Sequence, residues 1–181
     1  MRRLANITVL VFLILGSAIC RAENDTIYHD FNALNGAGKI GYASSNTVGN
    51  VNDGEVVYTC SGTNCKFFTQ YGGGSIAINL PDYNSEVVTT KFTNLKKIIL
   101  TLVSPDVAVC ENIKIHLSTD GDTFGAALSS GVTYNSGQII ATFPLGSYYV
   151  KISNIQSKRV SILTAKFISG RDCTNCLIYT P

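Results

Sequence analysis

The chain has no tryptophan, only two histidines and few charged residues, and each scarcity narrows what it can do. Sugar-binding surfaces often stack a ring on an exposed aromatic, and without indole that task falls to tyrosine and phenylalanine. His29 stands beside Asp30, and His116 lies beside Lys114 on the polar face of an alternating segment. Nucleophilic catalysis needs a base oriented by a third group, and neither position suggests one. No cluster of lysine and arginine exists to serve as an electrostatic footprint for nucleic acid or for an anionic membrane. No segment carries a helical stripe, no Pro- or Ser-rich block marks a linker, and no internal repeat is present.

What is abundant is Gly, Ser, Thr and Asn between short apolar segments, the composition of a turn-rich β protein. At the N-terminus, Arg2 and Arg3 precede an apolar run from Ile7 to Ile19 and a small residue at Ala22. This is the layout of a secretory signal, and the run is shorter than the roughly 20 residues that span a bilayer. The expectation is a signal peptide over residues 1–22, with a retained anchor or a lipidated Cys20 as alternatives. Residues 1–22 hold three arginines and no acid, so their removal takes the formal charge from +2 to −1. The remaining chain of about 160 residues is long enough for one core. It divides into a β-sandwich domain over 23–170 and a cysteine-containing tail over 171–181. The expected location is secreted or cell-surface, with no membrane span in the mature chain.

Strands are expected at Glu55–Cys60 and Lys66–Thr69, joined through Ser-Gly-Thr-Asn, and at Ser75–Leu80. Lys97–Val103 is a near-continuous apolar run that suits a central strand. In Asn112–Ser118, Ile113, Ile115 and Leu117 face one way and Lys114 and His116 the other. Gln138–Phe143, Tyr148–Ser153 and Arg159–Ile168 complete the set, with turns at Asp53-Gly54, Asp120-Gly121, Ser136-Gly137 and Leu145-Gly146. Several short strands at such spacing indicate an all-β, antiparallel β-sandwich of jelly-roll type.

Residues 75–168 carry a further signal. Ile98–Val103 is followed by Ile113–Ser118, which runs into Ser118-Thr119-Asp120-Gly121-Asp122-Thr123-Phe124; then come Gly146-Ser147-Tyr148-Tyr149-Val150-Lys151-Ile152 and Arg159–Phe167. This order resembles the small jelly-roll β-sandwich domains, similar to carbohydrate-binding modules, of secreted Bacteroidetes proteins. The resemblance implies a binding module, expected here to stand without an attached catalytic domain, and such folds host many functions.

Five cysteines remain after Cys20: Cys60, Cys65, Cys110, Cys173 and Cys176. In an exported chain they are disulfide candidates, with one left over and the connectivity open. Cys173 and Cys176 form a C-x-x-C, but no helix can follow to stabilise a thiolate, which argues against redox catalysis. Export likewise argues against a four-cysteine zinc site. Gly72-Gly73-Gly74 lacks the Lys-Ser or Lys-Thr of a phosphate loop. Asp120 and Asp122 form the closest acidic pair, a weak candidate for Ca²⁺ or for glycoside hydrolysis; in a turn, Asp is chosen for backbone reasons. Tyr42, Phe68, Tyr71, Tyr134 and Tyr149 are the candidate ligand-binding aromatics, with core packing as the competing explanation. The functional expectation is a non-enzymatic binding module for a glycan or an extracellular protein, without cofactor or nucleic acid. The alternatives are a structural subunit of a surface complex and a hydrolase with a sparse site.

Overall fold

The computed structural model describes residues 25–31, 33, 56–61, 66–69, 76–80, 85–103, 107–156 and 159–170. They form ten strands: β1 (Thr26–Asp30), β2 (Tyr58–Ser61), β3 (Lys66–Thr69), β4 (Ile76–Leu80), β5 (Ser85–Thr89), β6 (Phe92–Leu102), β7 (Ile113–Ser118), β8 (Val132–Asn135), β9 (Gln138–Asn154) and β10 (Val160–Ser169). One helical turn, α1 (Val107–Cys110), sits between β6 and β7. The protein is thus an antiparallel β fold with almost no helix, its sheet curled into a half-barrel. No described helix is long and apolar enough to cross a membrane.

The sheet runs β2-β5-β9-β6-β10-β4-β3, with β1 added to β10 and with β7 and β8 added to β9. β9 explains the curl. Its first half pairs with β6 and β8, and its second half pairs with β5 and β7. One strand of 17 residues therefore belongs to both parts of the sheet and bends between them. The bend falls where β6 slips register around Leu95, beside Asn94 with φ 53°. Gly146 pairs with Leu95 there, and a Cβ on it would stand 2.5 Å from the Tyr148 ring. The expected turn at Leu145-Gly146 is instead this bend inside β9.

Alternation decides which side of each strand is buried. Ile98 and Leu100 of β6 meet Phe167 and Ala165 of β10 on one side and Ala141 and Ile139 of β9 on the other, and all are buried. Phe92 stacks on Phe167 with ring centroids 4.3 Å apart. From the other part of the sheet, Val87, Ile113, Ile115, Val150 and Ile152 join the same core. Each large apolar side chain fully removed from water contributes about 1.5–3 kcal/mol. The Lys97–Val103 run is a central strand as expected, and Ile113 and Ile115 face inward as their alternation requires.

Two other links depart from expectation. β2 and β3 are not hairpin partners: β2 pairs with β5 and β3 with β4, at opposite ends of the strand order. Pairing with β5 holds Tyr58 in the core, where its ring meets His29 and Phe31 edge-on. Asp120-Gly121 does not join a hairpin, because it lies in the long link between β7 and β8. Ser136-Gly137 does, with φ of 45° and 83°, the doubly positive pattern of a tight type I′ turn.

Candidate functional site

The outer side of β5, β9 and β7 carries several residues that the sequence singles out. After β7 the chain folds back along that strand's edge. Leu128 N–H donates to Ile115 O at 2.8 Å, and Gly125 N–H to Leu117 O at 3.4 Å. This returning segment protects an edge that would otherwise offer open hydrogen-bonding groups. It also lies against His116, whose Nδ1 is 3.0 Å from Gly125 O and whose Nε2 is 3.2 Å from Ser153 Oγ. A carbonyl only accepts, so Nδ1 carries a proton and donates, which in that tautomer leaves Nε2 to accept a hydrogen bond from the Ser153 hydroxyl. His116 is therefore half-buried and held at both nitrogens, not an exposed strand histidine. Ser153, which the sequence did not point to, is buried beside it. The pair fastens the segment to the sheet.

Asp120 works in the same way. Its Oδ1 accepts from Ser118 Oγ at 2.6 Å, Thr123 N at 2.9 Å and Asp122 N at 3.0 Å. These hydrogen bonds, led by the Ser118 hydroxyl, hold its carboxyl down at about 2 instead of 3.8. Gly121 N–H in turn donates to Ser118 Oγ at 2.9 Å. Gly121 has φ +91°, and a Cβ on it would lie 3.1 Å from the Tyr149 ring. Lys91 Nζ sits 5.5 Å from the centroid of that ring and donates to Thr119 O at 2.8 Å. Lys151 Nζ pairs with Glu86 Oε1 at 3.1 Å and lies 5.3 Å from the Phe124 ring centroid. Tyr149 is thus clamped, and His116, Ser118 and Asp120 are engaged by the segment that follows β7.

The other sequence candidates separate. Tyr134 points to the inner side of β8, opposite Ile139, and packs against the core. Burial raises its phenol, with Glu111 and Cys110 adding to the effect. Cys110 is buried at the end of α1. Tyr42, Tyr71, Cys65, Cys173 and Cys176 lie outside the described residues, and Cys60 and Phe68 are described by backbone alone, opposite Val87 and Ala77. Asp122 is exposed next to Asp120, and among the described residues no three His, Cys, Asp or Glu side chains group as metal ligands.

No family model matches the chain, and no curated protein matches it.

A different face emerges from strand register. β8, β9, β6, β10 and β1 lie side by side in that order, and their outward residues align across the strands. One row reads Asn135, Gln138, Thr101, Thr164 and Asp30. The next reads Thr133, Ile140, Ile99, Lys166 and Tyr28. A third holds Thr142, Lys97, Ile168 and Thr26. Asn135, Gln138, Thr133, Thr142 and Thr26 are exposed, and Tyr28 is 55% exposed. Amides, hydroxyls and a carboxyl thus stand in line across five strands, about 19 Å at the usual strand spacing, with a half-bare aromatic ring at one side.

The sequence does not single out Tyr28, because five residues of alternation are too few to establish a strand. The available signal was the alternation of Thr26–Asp30 itself, in which Ile27 and His29 face inward.

Proposed function

We propose that the chain is a non-enzymatic binding module acting outside the cytoplasm, that the two parts of its curled sheet make a jelly-roll sandwich, and that its five-stranded outer face recognises a glycan. The observation that carries this reading is the aligned outer face: hydrogen-bonding amides and hydroxyls in register, beside the exposed ring of Tyr28. Sugar hydroxyls need such donors and acceptors, and the apolar side of a pyranose packs on an aromatic ring. The resemblance of residues 75–168 to carbohydrate-binding-module-like domains favours a saccharide over a protein partner. Placement outside the cytoplasm rests on the N-terminal charge and apolar run. An active site on the opposite face is disfavoured because His116 is tied to Gly125 of the returning segment and to Ser153, and Asp120 is tied to Ser118 within its own turn.

A saccharide screen on the purified chain tests this reading. Binding is expected, and Tyr28→Ala together with Gln138→Ala is expected to weaken it by roughly tenfold or more, while Ser153→Ala leaves it unchanged. Loss of binding with Ser153→Ala and none with Tyr28→Ala would place the site on the wrong face.

A further inference from the structure

The outer face has an electrostatic centre that its neutral rows do not account for. Lys97 on β6 stands opposite Ile168 on β10, and Lys166 lies two residues before Ile168 on the same face. The two lysines are therefore diagonal neighbours on adjacent strands, with Cα atoms about 7–8 Å apart. Both are half-buried. Neither makes an ion pair or a hydrogen bond among the described residues, whereas Lys91 and Lys151 each find an oxygen partner. Asp30 is the acid that shares this face, one row from Lys166, yet it forms no ion pair with it and accepts a hydrogen bond from Ala33 N–H at 3.0 Å.

Two like charges this close repel, and the repulsion is relieved when an anion sits between them. Direct cross-strand neighbours fix what stands around that position. Lys166 lies between Tyr28 and Ile99, and Lys97 lies between Ile168 and Thr142. An anionic group held by the two ammonium groups thus has the Tyr28 ring on one flank. On the other side of Lys166, one row along, stand the hydroxyls of Thr164 and Thr101 and the amide of Gln138. A lone phosphate would use the lysines and leave the tyrosine and the hydroxyl row idle. An extended acidic peptide takes its affinity from a sheet edge, where backbone groups are open, not from a sheet face. A polymer of rings bearing both hydroxyls and negative charge uses all three features.

Resting on the glycan reading above, we infer that this face selects acidic saccharides, chains bearing uronate carboxylates or sulfate groups, with Lys97 and Lys166 holding the anionic group and Tyr28 packing on the adjoining ring. The near-neutral net charge of the chain makes this local selection and not bulk attraction.

The test compares a polyuronate, a sulfated polysaccharide and an uncharged polysaccharide against the purified chain by titration calorimetry. At least one acidic polymer is expected to bind tenfold or more tighter than the uncharged one. That advantage should shrink as salt rises from about 0.1 M to about 1 M, where the screening length falls from roughly 10 to 3 Å. The polyuronate and sulfate arms show which anion the lysines prefer. Lys97→Glu with Lys166→Glu should abolish acidic binding. Lys97→Gln with Lys166→Gln should lower it on the order of tenfold per lysine while keeping the thermal transition, which reads the same role if charge reversal prevents folding.

Unchanged acidic binding in the glutamine pair overturns the inference. So does equal affinity for the uncharged polymer, although in that outcome the glycan reading stands. With polyglutamate titrated as a fourth ligand, its tighter binding than that of any saccharide overturns both, as does an absence of binding to all three polysaccharides.

Discussion

Asp120 shows how much one carboxylate does in a turn. It gathers the Ser118 hydroxyl and two backbone N–H groups, and those bonds hold its carboxyl at about 2 in the fold against 3.8 in an open chain. A depressed folded value means that the charged form is the one the fold prefers. Its contribution is therefore complete above about pH 4 and is lost as the pH falls towards 2. The protection of the Asp122 and Thr123 amides, taken relative to their intrinsic exchange rates, is expected to fall over that window in the native chain. With Asp120→Ala, exchange at both amides should be fast throughout and show no such step. The Asp-Gly-Asp sequence was legible as a turn because Asp and Gly serve backbone geometry there. The clamp on Tyr149 was not legible, because Gly121 meets that ring, and Thr119 O holds Lys91 near it, only when the link after β7 lies over β9. Tyr28 and Lys166 are likewise separated by most of the chain, and only the pairing of β1 with β10 makes them neighbours.

At the scale of elements, the end of the long link into β8 is tightly constrained at Gly131. Gly131 has φ +70°, its carbonyl accepts from Thr142 N–H at 2.8 Å, and a Cβ on it would collide with the Thr142 carbonyl oxygen. Gly131→Ala is expected to cost roughly 1–3 kcal/mol from backbone strain alone, with the collision added. Gly125→Ala should cost less than about 0.5 kcal/mol, because its added Cβ would meet nothing closer than 3.9 Å. Chemical denaturation of the two variants checks the contrast. Strands with sustained alternation or a long apolar run, β6, β7 and β10, were legible from sequence. β1, β5 and β8 were not, since four or five residues are too few to establish a period. β9 was read as two strands because Pro144-Leu145-Gly146 has the chemistry of a turn. In the fold, pairing with β6 on one side of that segment and with β5 and β7 beyond it carries the strand through.

At the scale of the molecule, one core joins both parts of the curled sheet. Phe167 lies at its centre, stacked on Phe92 and opposite Ile98 and Ile27. Phe167→Ala is expected to cost about 3–5 kcal/mol by opening a cavity, whereas Thr142→Ala on the outer face should stay within about 1 kcal/mol. Thermal or urea unfolding measures both. The sequence by itself determined that the fold is antiparallel β with almost no helix, and the inward faces of the strongest strands, since side-chain alternation and turn residues act over a few neighbours. It also carried the charge pattern behind the extracytoplasmic expectation. Tertiary structure alone decided which strands pair, which aromatics are consumed by packing, and which outward residues stand in line. Register couples residues far apart in the chain, and a slip of one position would turn Tyr28, Lys166 and Ile99 from the outer face into the core. That is why Tyr134 and Tyr149, conspicuous in sequence, are held by the fold, while the face with Lys97, Lys166 and Tyr28 appears only once five strands lie side by side.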